Sequence, residues 1–243
     1  MSKIYCTINT KGGVGKSTIS FQILPIILGG ANVVEIDDNN DTAAVLENDA
    51  YILSKKSVRL DELDATISSI IFQSATKDTP IVVDSGGGND TRAVIQSLVE
   101  MQKTDVCFVI PLKSSRAEVQ NALDTYALVK DLTNNIVFIK NGASEKDFIF
   151  WDGSKEFGLE PQKPKKSTDV FLPSTPLFDI ANSKNETLAS LAEMSGDIKV
   201  DDLIGMSGGD EDKFLALSAK YRNSVKAADY IAKHIVPLKK FFS

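Results

Sequence analysis

Residues 11–18 read Lys11-Gly12-Gly13-Val14-Gly15-Lys16-Ser17-Thr18 and lie between a predicted strand and a predicted helix. Glycines in such a turn let several backbone N–H groups converge on one anion, and the N-terminus of the following helix directs its dipole at the same anion. A lysine and a hydroxyl residue directly after the last glycine complete a phosphate-binding loop. The stretch therefore predicts a nucleotide site with contacts from Gly12, Gly13, Val14, Gly15, Lys16, Ser17 and Thr18.

Two side chains of this loop have predicted chemical roles. We expect Lys16 to reach the β- and γ-phosphates and Ser17 to bind Mg²⁺ through its hydroxyl. No Asn-Lys-x-Asp guanine signature follows a predicted strand, which favours ATP over GTP. The predicted cofactors are therefore ATP and Mg²⁺.

Two further apolar runs end in an aspartate. Asp37 follows the run Val33-Val34-Glu35-Ile36, where a carboxylate can face the γ-phosphate and the Mg²⁺ shell. Asp84 follows Ile81-Val82-Val83 and precedes three glycines, which is the Walker B form. The predicted metal ligands are thus Ser17, Asp37 and Asp84, with the two aspartates acting through water.

The rest of the chain alternates apolar runs with helical stretches, which is typical of a parallel sheet buried on both faces. The predicted strands are 4–8, 32–36, 80–83, 105–110, 136–139 and 170–172, and the predicted helices are 16–28, 60–75, 90–102, 115–131 and 144–157. This rhythm predicts an α/β fold: a single doubly wound, mainly parallel sheet flanked by helices. We expect one domain over 1–243, a basic C-terminal helix at about 210–243, and a kink at Pro25.

The phosphate loop departs from the general pattern in a specific way. Thr10 stands where the general pattern has glycine, and Lys11 begins the loop. Lys-Gly-Gly-x-Gly-Lys-Ser/Thr is the deviant Walker A motif, and with it the sequence resembles the ParA/MinD family of P-loop ATPases. The resemblance implies an ATPase that dimerises around bound ATP, with Lys11 reaching the partner's phosphates as an arginine finger does. The implied catalytic residues are Lys11, Lys16 and Asp37.

One family position differs in this chain. Family members usually have Ile-Asp-x-Asp at the second strand end, and the second Asp positions the attacking water; here that position is Asn39. An amide can orient water but cannot accept its proton, and Asp37, Asp38 and Asp41 are the nearby acids that could compensate for it. The resemblance therefore implies slow ATP hydrolysis, or alternatively a nearly inactive nucleotide-gated scaffold.

The resemblance also points to the nucleotide base. Asn141 follows a predicted strand where relatives place an adenine-binding Asn, and Pro173 ends the next strand, which lines the base with backbone groups. Asn141 is equally compatible with a turn or helix N-cap residue.

Charge is distributed unevenly along the chain. Its net charge is −6, from 27 basic and 33 acidic residues, but residues 213–243 hold seven Lys and Arg against one Asp. That tail carries +6 and the body −12. By resemblance, the tail binds non-specific DNA, as in plasmid partition or DNA positioning. The alternatives are a membrane surface, as in MinD-like positioning ATPases, or a solvated face. The resemblance also implies a partner protein that stimulates hydrolysis.

Composition excludes several other classes. The hydrophobic content of 42% and charged content of 25% are those of a globular protein. Two cysteines in apolar runs, one histidine and no Cys-x-x-Cys disfavour a zinc or iron–sulfur site and favour reduced thiols. No secretory signal is visible, so we expect a cytoplasmic protein, nucleoid-associated if it binds DNA.

Overall fold

A computed structural model of the chain describes residues 3–38, 42–47, 49–165 and 167–242. The strands in these residues are β1 (Ile4–Thr7), β2 (Ala31–Ile36), β3 (Ile52–Val58), β4 (Ile81–Ser85), β5 (Val106–Leu112), β6 (Ile136–Gly142) and β7 (Thr168–Pro173). The helices are α1 (Lys16–Thr18), α2 (Leu24–Leu28), α3 (Thr42–Val45), α4 (Leu63–Thr76), α5 (Asn89–Glu100), α6 (Arg116–Val129), α7 (Ile149–Asp152), α8 (Leu177–Asn182), α9 (Leu188–Ala192), α10 (Val200–Ser207) and α11 (Glu211–Tyr230).

All strand pairs described are parallel, in the order β3-β2-β4-β1-β5-β6-β7. This confirms the predicted doubly wound sheet. Strand β1 lies in the middle, with β4 on one side and β5 on the other. Because parallel strands end at a common edge, the loops after β1, β2, β4, β6 and β7 meet there, at the position where such sheets bind ligands.

Helices cover both faces of the sheet and create two apolar cores. The side chain of Tyr5 packs into one core, and those of Ile4 and Cys6 pack into the other. Every residue of β1 is buried, as expected for a strand with no solvent face. Cys6 and Cys107 are both free thiols, as predicted.

Strand β3 is absent from our sequence prediction. Only its first and last residues, Ile52 and Val58, are buried, and serines and lysines lie between them. An edge strand needs no continuous apolar run, and lysine on such an edge discourages pairing with other chains. The strand therefore carries no hydrophobic signal that would reveal it.

The prediction of one helix over 144–157 is wrong. The structure has a 3₁₀ turn at Glu145–Asp147 and then the single-turn helix α7. Beyond α7 the backbone pairs Ser154 with Leu159 in an antiparallel bridge, which ends the helix. Phe148 and Trp151 of this stretch are buried in the core.

Two prolines widen the helices in which they lie. A π-helical segment, Ile19–Ile23, precedes Pro25, and a second, Ile231–Ile235, precedes Pro237. Proline has no N–H, and its ring clashes with the carbonyl four residues earlier; a wider turn relieves this clash. The disturbance predicted at Pro25 thus takes the form of a π turn between α1 and α2.

The C-terminal stretch predicted at about 210–243 consists of α11, the second π segment and a 3₁₀ segment, Val236–Phe241. Its apolar side chains Ile235, Leu238 and Phe242 are buried in the same core as Tyr5. The Tyr5 hydroxyl donates to the Phe242 carbonyl at 3.1 Å. No helix in the described parts of the chain is long and apolar enough to cross a bilayer.

One hydrogen bond joins α11 to the ligand edge of the sheet. The Tyr230 hydroxyl donates to the carbonyl of Pro173 at 2.5 Å, and burial raises the pKa of this hydroxyl. We predict that Tyr230→Phe lowers the free energy of unfolding by about 1 kcal/mol, because a carbonyl loses its donor. Urea denaturation measures this change.

Tyr221→Phe is the matched control for Tyr230→Phe. Its hydroxyl makes a longer, exposed bond of 3.3 Å to the Gly196 carbonyl. We expect this variant to lose less than about 0.5 kcal/mol, as exposed substitutions do. Equal losses in the two variants would contradict the importance given to the Tyr230 bond.

Candidate nucleotide-binding site

The phosphate loop connects the end of β1 to the start of α1. Gly15 precedes α1 with φ 102°, in the left-handed region that favours glycine. A Cβ atom at this position would lie 3.0 Å from Nδ2 of Asn141. Glycine therefore permits both the turn and the close approach of the loop after β6.

Hydrogen bonds fix the loop to three other elements. The Asn9 side chain donates to the Pro111 carbonyl at the end of β5 and accepts from the Lys11 N–H, each at 2.9 Å. The Thr10 N–H donates to Thr125 in α6, and its carbonyl accepts from the Gly88 N–H after β4. The loop is thus held in shape by contacts within the protein, before any ligand binds.

Lys16 lies inside this loop and is almost completely buried. Its Nζ donates to the Lys11 carbonyl at 3.1 Å. Burial lowers the pKa of Lys16, while the negative charges of Asp84 and Asp37 act in the opposite direction. A cavity of about 310 Å³ beside it is lined by Gly12, Gly13, Gly15, Lys16, Ser17, Thr18, Asp37, Ser85 and Gly87.

Asp84 is 2% exposed and is not part of the cavity lining, although the next residue, Ser85, is. Burial raises its pKa to about 7, although hydrogen bonds from Ser17 and Ser20 lower it. The Ser20 hydroxyl donates to Oδ1 of Asp84 at 2.9 Å. Glu35, the register neighbour of Asp84 on β2, adds a second negative charge that raises this pKa further.

The residues present fit Mg²⁺ bound together with phosphate. Among the described residues, no group of three or more His, Cys, Asp or Glu side chains could hold a metal ion alone. Mg²⁺ usually keeps several waters and takes only one or two carboxylates plus substrate phosphates, so Ser17, Asp37 and Asp84 suffice. Burial raises the pKa of Asp84 to about 7, and a bound cation would favour its ionised form. When bound, Mg²⁺ would neutralise phosphate charge in this site.

A second cavity of about 490 Å³ continues from the first. The two share Gly13, Gly15 and Thr18 of the phosphate loop and its helix. The second cavity is further lined by Lys113, Ser114, Ser115, Glu118, Asn141, Gly142, Ser174, Thr175, Phe178 and Asp179. Its size and mixed lining suit a small-molecule site, and the two cavities form one groove with a phosphate end and a wider end.

The structure separates the two residues predicted for the base. Asn141 lines the wider cavity, beside the phosphate loop. Pro173 lies behind the wall, with its carbonyl accepting from Tyr230, while Ser174 and Thr175 provide the lining. A contact of Pro173 with the base stays a prediction.

Lys140, the residue before Asn141 in β6, forms a network of ion pairs that fixes this end of the strand. It is 3% exposed, and its Nζ lies 3.0 Å from Glu145, 3.1 Å from Asp152 and 3.4 Å from Asp169. Burial opposes the charge of Lys140, but its hydrogen bonds to these carboxylates outweigh burial and raise its pKa. The network joins the end of β6 to the segment between β6 and β7.

Lys11 is placed apart from the phosphate cavity. Its side chain is 44% exposed and forms an ion pair of 3.7 Å with Glu118 of α6, at the rim of the wider cavity. Its backbone serves the loop, while its ammonium faces outward. A role toward a second subunit therefore stays a prediction.

Asn39, the position that differs from the family pattern, lies outside the described residues, as does Asp41. Asp37 lines the phosphate cavity, as the strand-end argument predicts. Asp38 accepts a hydrogen bond of 3.0 Å from the Leu60 N–H.

Sequence reasoning missed four polar residues of the site: Ser20, Glu35, Asp90 and Glu118. Glu35 had a usable signal, since an acid within an apolar strand needs a partner. The other three come close to the site only through contacts between distant elements.

Three solved structures resemble this chain. The first is the cell division protein MinD of Aquifex aeolicus, at 17% identity, TM-score 0.50, and coverage of 89% of this chain and 96% of that one. A MinC:MinD complex from the same organism gives 15% identity, TM-score 0.52 and the same coverage. The septum site-determining protein MinD of Pyrococcus horikoshii OT3, complexed with Mg-ADP, gives 16% identity, TM-score 0.51, and coverage of 96% and 97%.

No protein-family model matches the sequence, and no curated protein matches it. The likeness is therefore one of structure, at low sequence identity and over nearly the whole of each chain. This chain has the MinD fold: a parallel sheet flanked by helices, with its phosphate loop between the first strand and the first helix.

Proposed function

We propose that this chain is a Mg²⁺-dependent ATPase of the ParA/MinD type that works as a nucleotide-driven switch. The observation that carries the proposal is the groove formed by two cavities that share Gly13, Gly15 and Thr18, with Asp37 lining one cavity and Asn141 the other. The likeness to a MinD complexed with Mg-ADP supports it.

Different residues of the groove bind the phosphates, the metal and the base. Lys16 and the backbone N–H groups of the loop hold the β- and γ-phosphates. Ser17, Asp37 and Asp84 face the metal, and Asn141 faces the base. Burial of Lys16 and Asp84 excludes water, which strengthens the attraction between the ammonium and phosphate.

Hydrolysis in this proposal is slow because position 39 has an amide where a carboxylate is usual. Replacing Asn39 with Asp supplies a group that can accept the proton of the attacking water. We predict that Asn39→Asp raises kcat by about tenfold or more, with little change in nucleotide affinity.

Steady-state phosphate release measures this effect. Asn40→Asp, which adds the same charge one residue later, is the matched control and should leave kcat near the wild-type value. No increase for Asn39→Asp, or equal increases for both variants, would count against the assignment of position 39.

The proposed switch is an ATP-dependent dimer in which Lys11 crosses to the partner's phosphates. Within one chain, Lys11 pairs with Glu118, and the pair is partly open to solvent. Such a pair stabilises little and can be exchanged for a stronger contact with phosphate. The ion pair with Glu118 is therefore weak enough for Lys11 to exchange it for a phosphate of the partner chain.

We predict that Lys11→Ala abolishes ATP-dependent dimerisation while each chain still binds ATP. Glu118→Gln is the control, because it releases Lys11 but keeps its charge, and this variant should dimerise at least as well as wild type. Light scattering with size exclusion, in the presence of Mg·ATP, measures both. Dimerisation of Lys11→Ala to the wild-type extent would contradict the bridging role.

We further propose that the dimer binds non-specific DNA through α11 and acts in plasmid partition or DNA positioning, with a partner protein that stimulates hydrolysis. Arg222 and Lys226 are exposed on one side of α11, and Lys233, in the π segment that follows, is exposed and pairs with Asp229 at 2.8 Å. Ser224, Ala227 and Tyr230 are buried on another side. These three cations, which we call the basic stripe, would contact phosphates, and a dimer would carry two stripes.

Burial of the tail favours DNA over a membrane surface. A membrane-binding helix needs an exposed apolar face. At the end of the tail, Ile235, Leu238 and Phe242 are buried and Phe241 packs against the same core, while Val236 is 52% exposed. Leu215 and Val225 of α11 are also exposed, at 54% and 40%. The apolar side chains that end the tail are therefore mostly packed in the core, whereas Arg222 and Lys226 are exposed.

We predict that Ala replacement of the whole basic stripe lowers the salt slope of DNA binding, measured with Mg·ATP, by about 3, one for each lost phosphate contact. Ala replacement of the exposed Lys77, Lys130 and Lys146, on other parts of the surface, is the charge-matched control. An equal effect of both triple variants would contradict the stripe as the DNA surface. Binding to anionic vesicles in place of DNA would support the membrane alternative.

A further inference from the structure

Strand β2 contains a buried acid, Glu35, two residues before Asp37, where the segment between β2 and α3 begins. Glu35 is 1% exposed, and its Oε2 accepts the N–H of Ala43, in α3, at 2.9 Å. Its other oxygen, Oε1, is buried without a hydrogen-bond partner among the described residues. Glu35 thus connects the strand that precedes Asp37 to the helix that follows the segment.

A second buried acid reaches the same segment from α5. Asp90 is 6% exposed, and its carboxylate accepts the backbone N–H of Asp38. Its Oδ2 has no hydrogen-bond partner in the described part of the chain. This oxygen packs against Gly86, where an added Cβ atom would lie only 2.1 Å away. Only glycine at position 86 leaves room for the carboxylate.

Packing alone does not explain these two acids. A carboxylate with one unsatisfied oxygen is costly to bury, and the other residues of β2 are apolar except Asn32. An apolar residue at position 35 would fill the same space without that cost. Each carboxylate accepts a backbone N–H from the same stretch of chain. Asp90 accepts that of Asp38, just after β2, and Glu35 accepts that of Ala43, in α3.

That segment begins with Asp37, which lines the phosphate cavity. The Asp37 N–H donates to the Val58 carbonyl at 3.3 Å, and the Gly86 N–H donates to the Ile36 carbonyl at 2.7 Å. The Gly86 bond joins the loop after β4 to the end of β2, and the Asp90 carboxylate joins α5 to Asp38 in the loop after β2. Glu35 joins β2 to Ala43 in α3.

We propose that Glu35 and Asp90 are positioning residues: through the N–H groups of Ala43 and Asp38 they keep Asp37 in the geometry needed for ATP hydrolysis. The inference rests on the proposed function, since it assigns the two acids to the same reaction. Neither acid lines the phosphate cavity, so both act through Asp37. Their removal should therefore slow turnover more than it weakens nucleotide binding.

The test compares variants that keep the hydrogen-bond acceptor with variants that remove it. Glu35→Gln and Asp90→Asn retain an oxygen that can accept the same N–H, whereas Glu35→Leu and Asp90→Ala do not. Asp64→Ala is the control: this acid of α4 accepts one hydrogen bond, from Ser97, and lies outside both cavities.

We expect Glu35→Leu and Asp90→Ala to lower kcat by about tenfold or more while the Kd for Mg·ATP changes less than about threefold. The amide variants should recover most of kcat, and Asp64→Ala should match wild type. A loss of Mg·ATP affinity equal to the loss of kcat would overturn the proposal, as would full activity in both acceptor-free variants.

A second measurement does not depend on hydrolysis. Hydrogen–deuterium exchange of the peptide covering 42–47, in the protein without nucleotide, should become faster in Glu35→Leu and stay unchanged in Glu35→Gln. Unchanged exchange in Glu35→Leu would overturn the role of Glu35. If wild type binds no Mg·ATP, the proposed function fails, and the exchange result still decides whether Glu35 holds this segment.

Discussion

The structure depends on one electrostatic constraint: buried carboxylates gather at the edge of the sheet where the strands end. Asp84 and Glu35 lie side by side on neighbouring strands, and Lys16 is the buried cation beside them. Burial without full charge compensation costs free energy unless a counterion arrives. A divalent cation together with a phosphate chain would compensate Asp84 and Lys16, which is why the geometry supports a Mg²⁺–nucleotide site.

The scaffold makes this arrangement possible. A parallel sheet covered on both faces brings the loops after β1, β2 and β4 to one edge, where the Asn9 side chain donates to the Pro111 carbonyl and the Gly86 N–H donates to the Ile36 carbonyl. The same edge extends through Asn141 to the end of β7, where the Tyr230 hydroxyl binds the Pro173 carbonyl. Through that bond, the helix that carries the basic stripe is attached directly to the wall of the nucleotide groove.

The sequence predicts features whose chemistry is local. The glycine spacing of the phosphate loop and the aspartates at 37 and 84 are visible because each depends on adjacent residues. Strand β3 escapes prediction because its edge position needs no apolar run, and the helix predicted at 144–157 is wrong because the chain turns back after α7 to pair Ser154 with Leu159. Asp90 is unpredictable in another way: its contact with the loop after β2 joins residues far apart in the chain.

Isothermal titration calorimetry of Mg·ATP into the wild-type chain and into Lys16→Ala tests the central claim most directly. The account predicts saturable binding of one nucleotide per chain to wild type, lost when EDTA removes the metal and lost in Lys16→Ala. Absence of binding to the wild type, or equal binding to Lys16→Ala, would contradict the assignment of the groove as a Mg²⁺–ATP site.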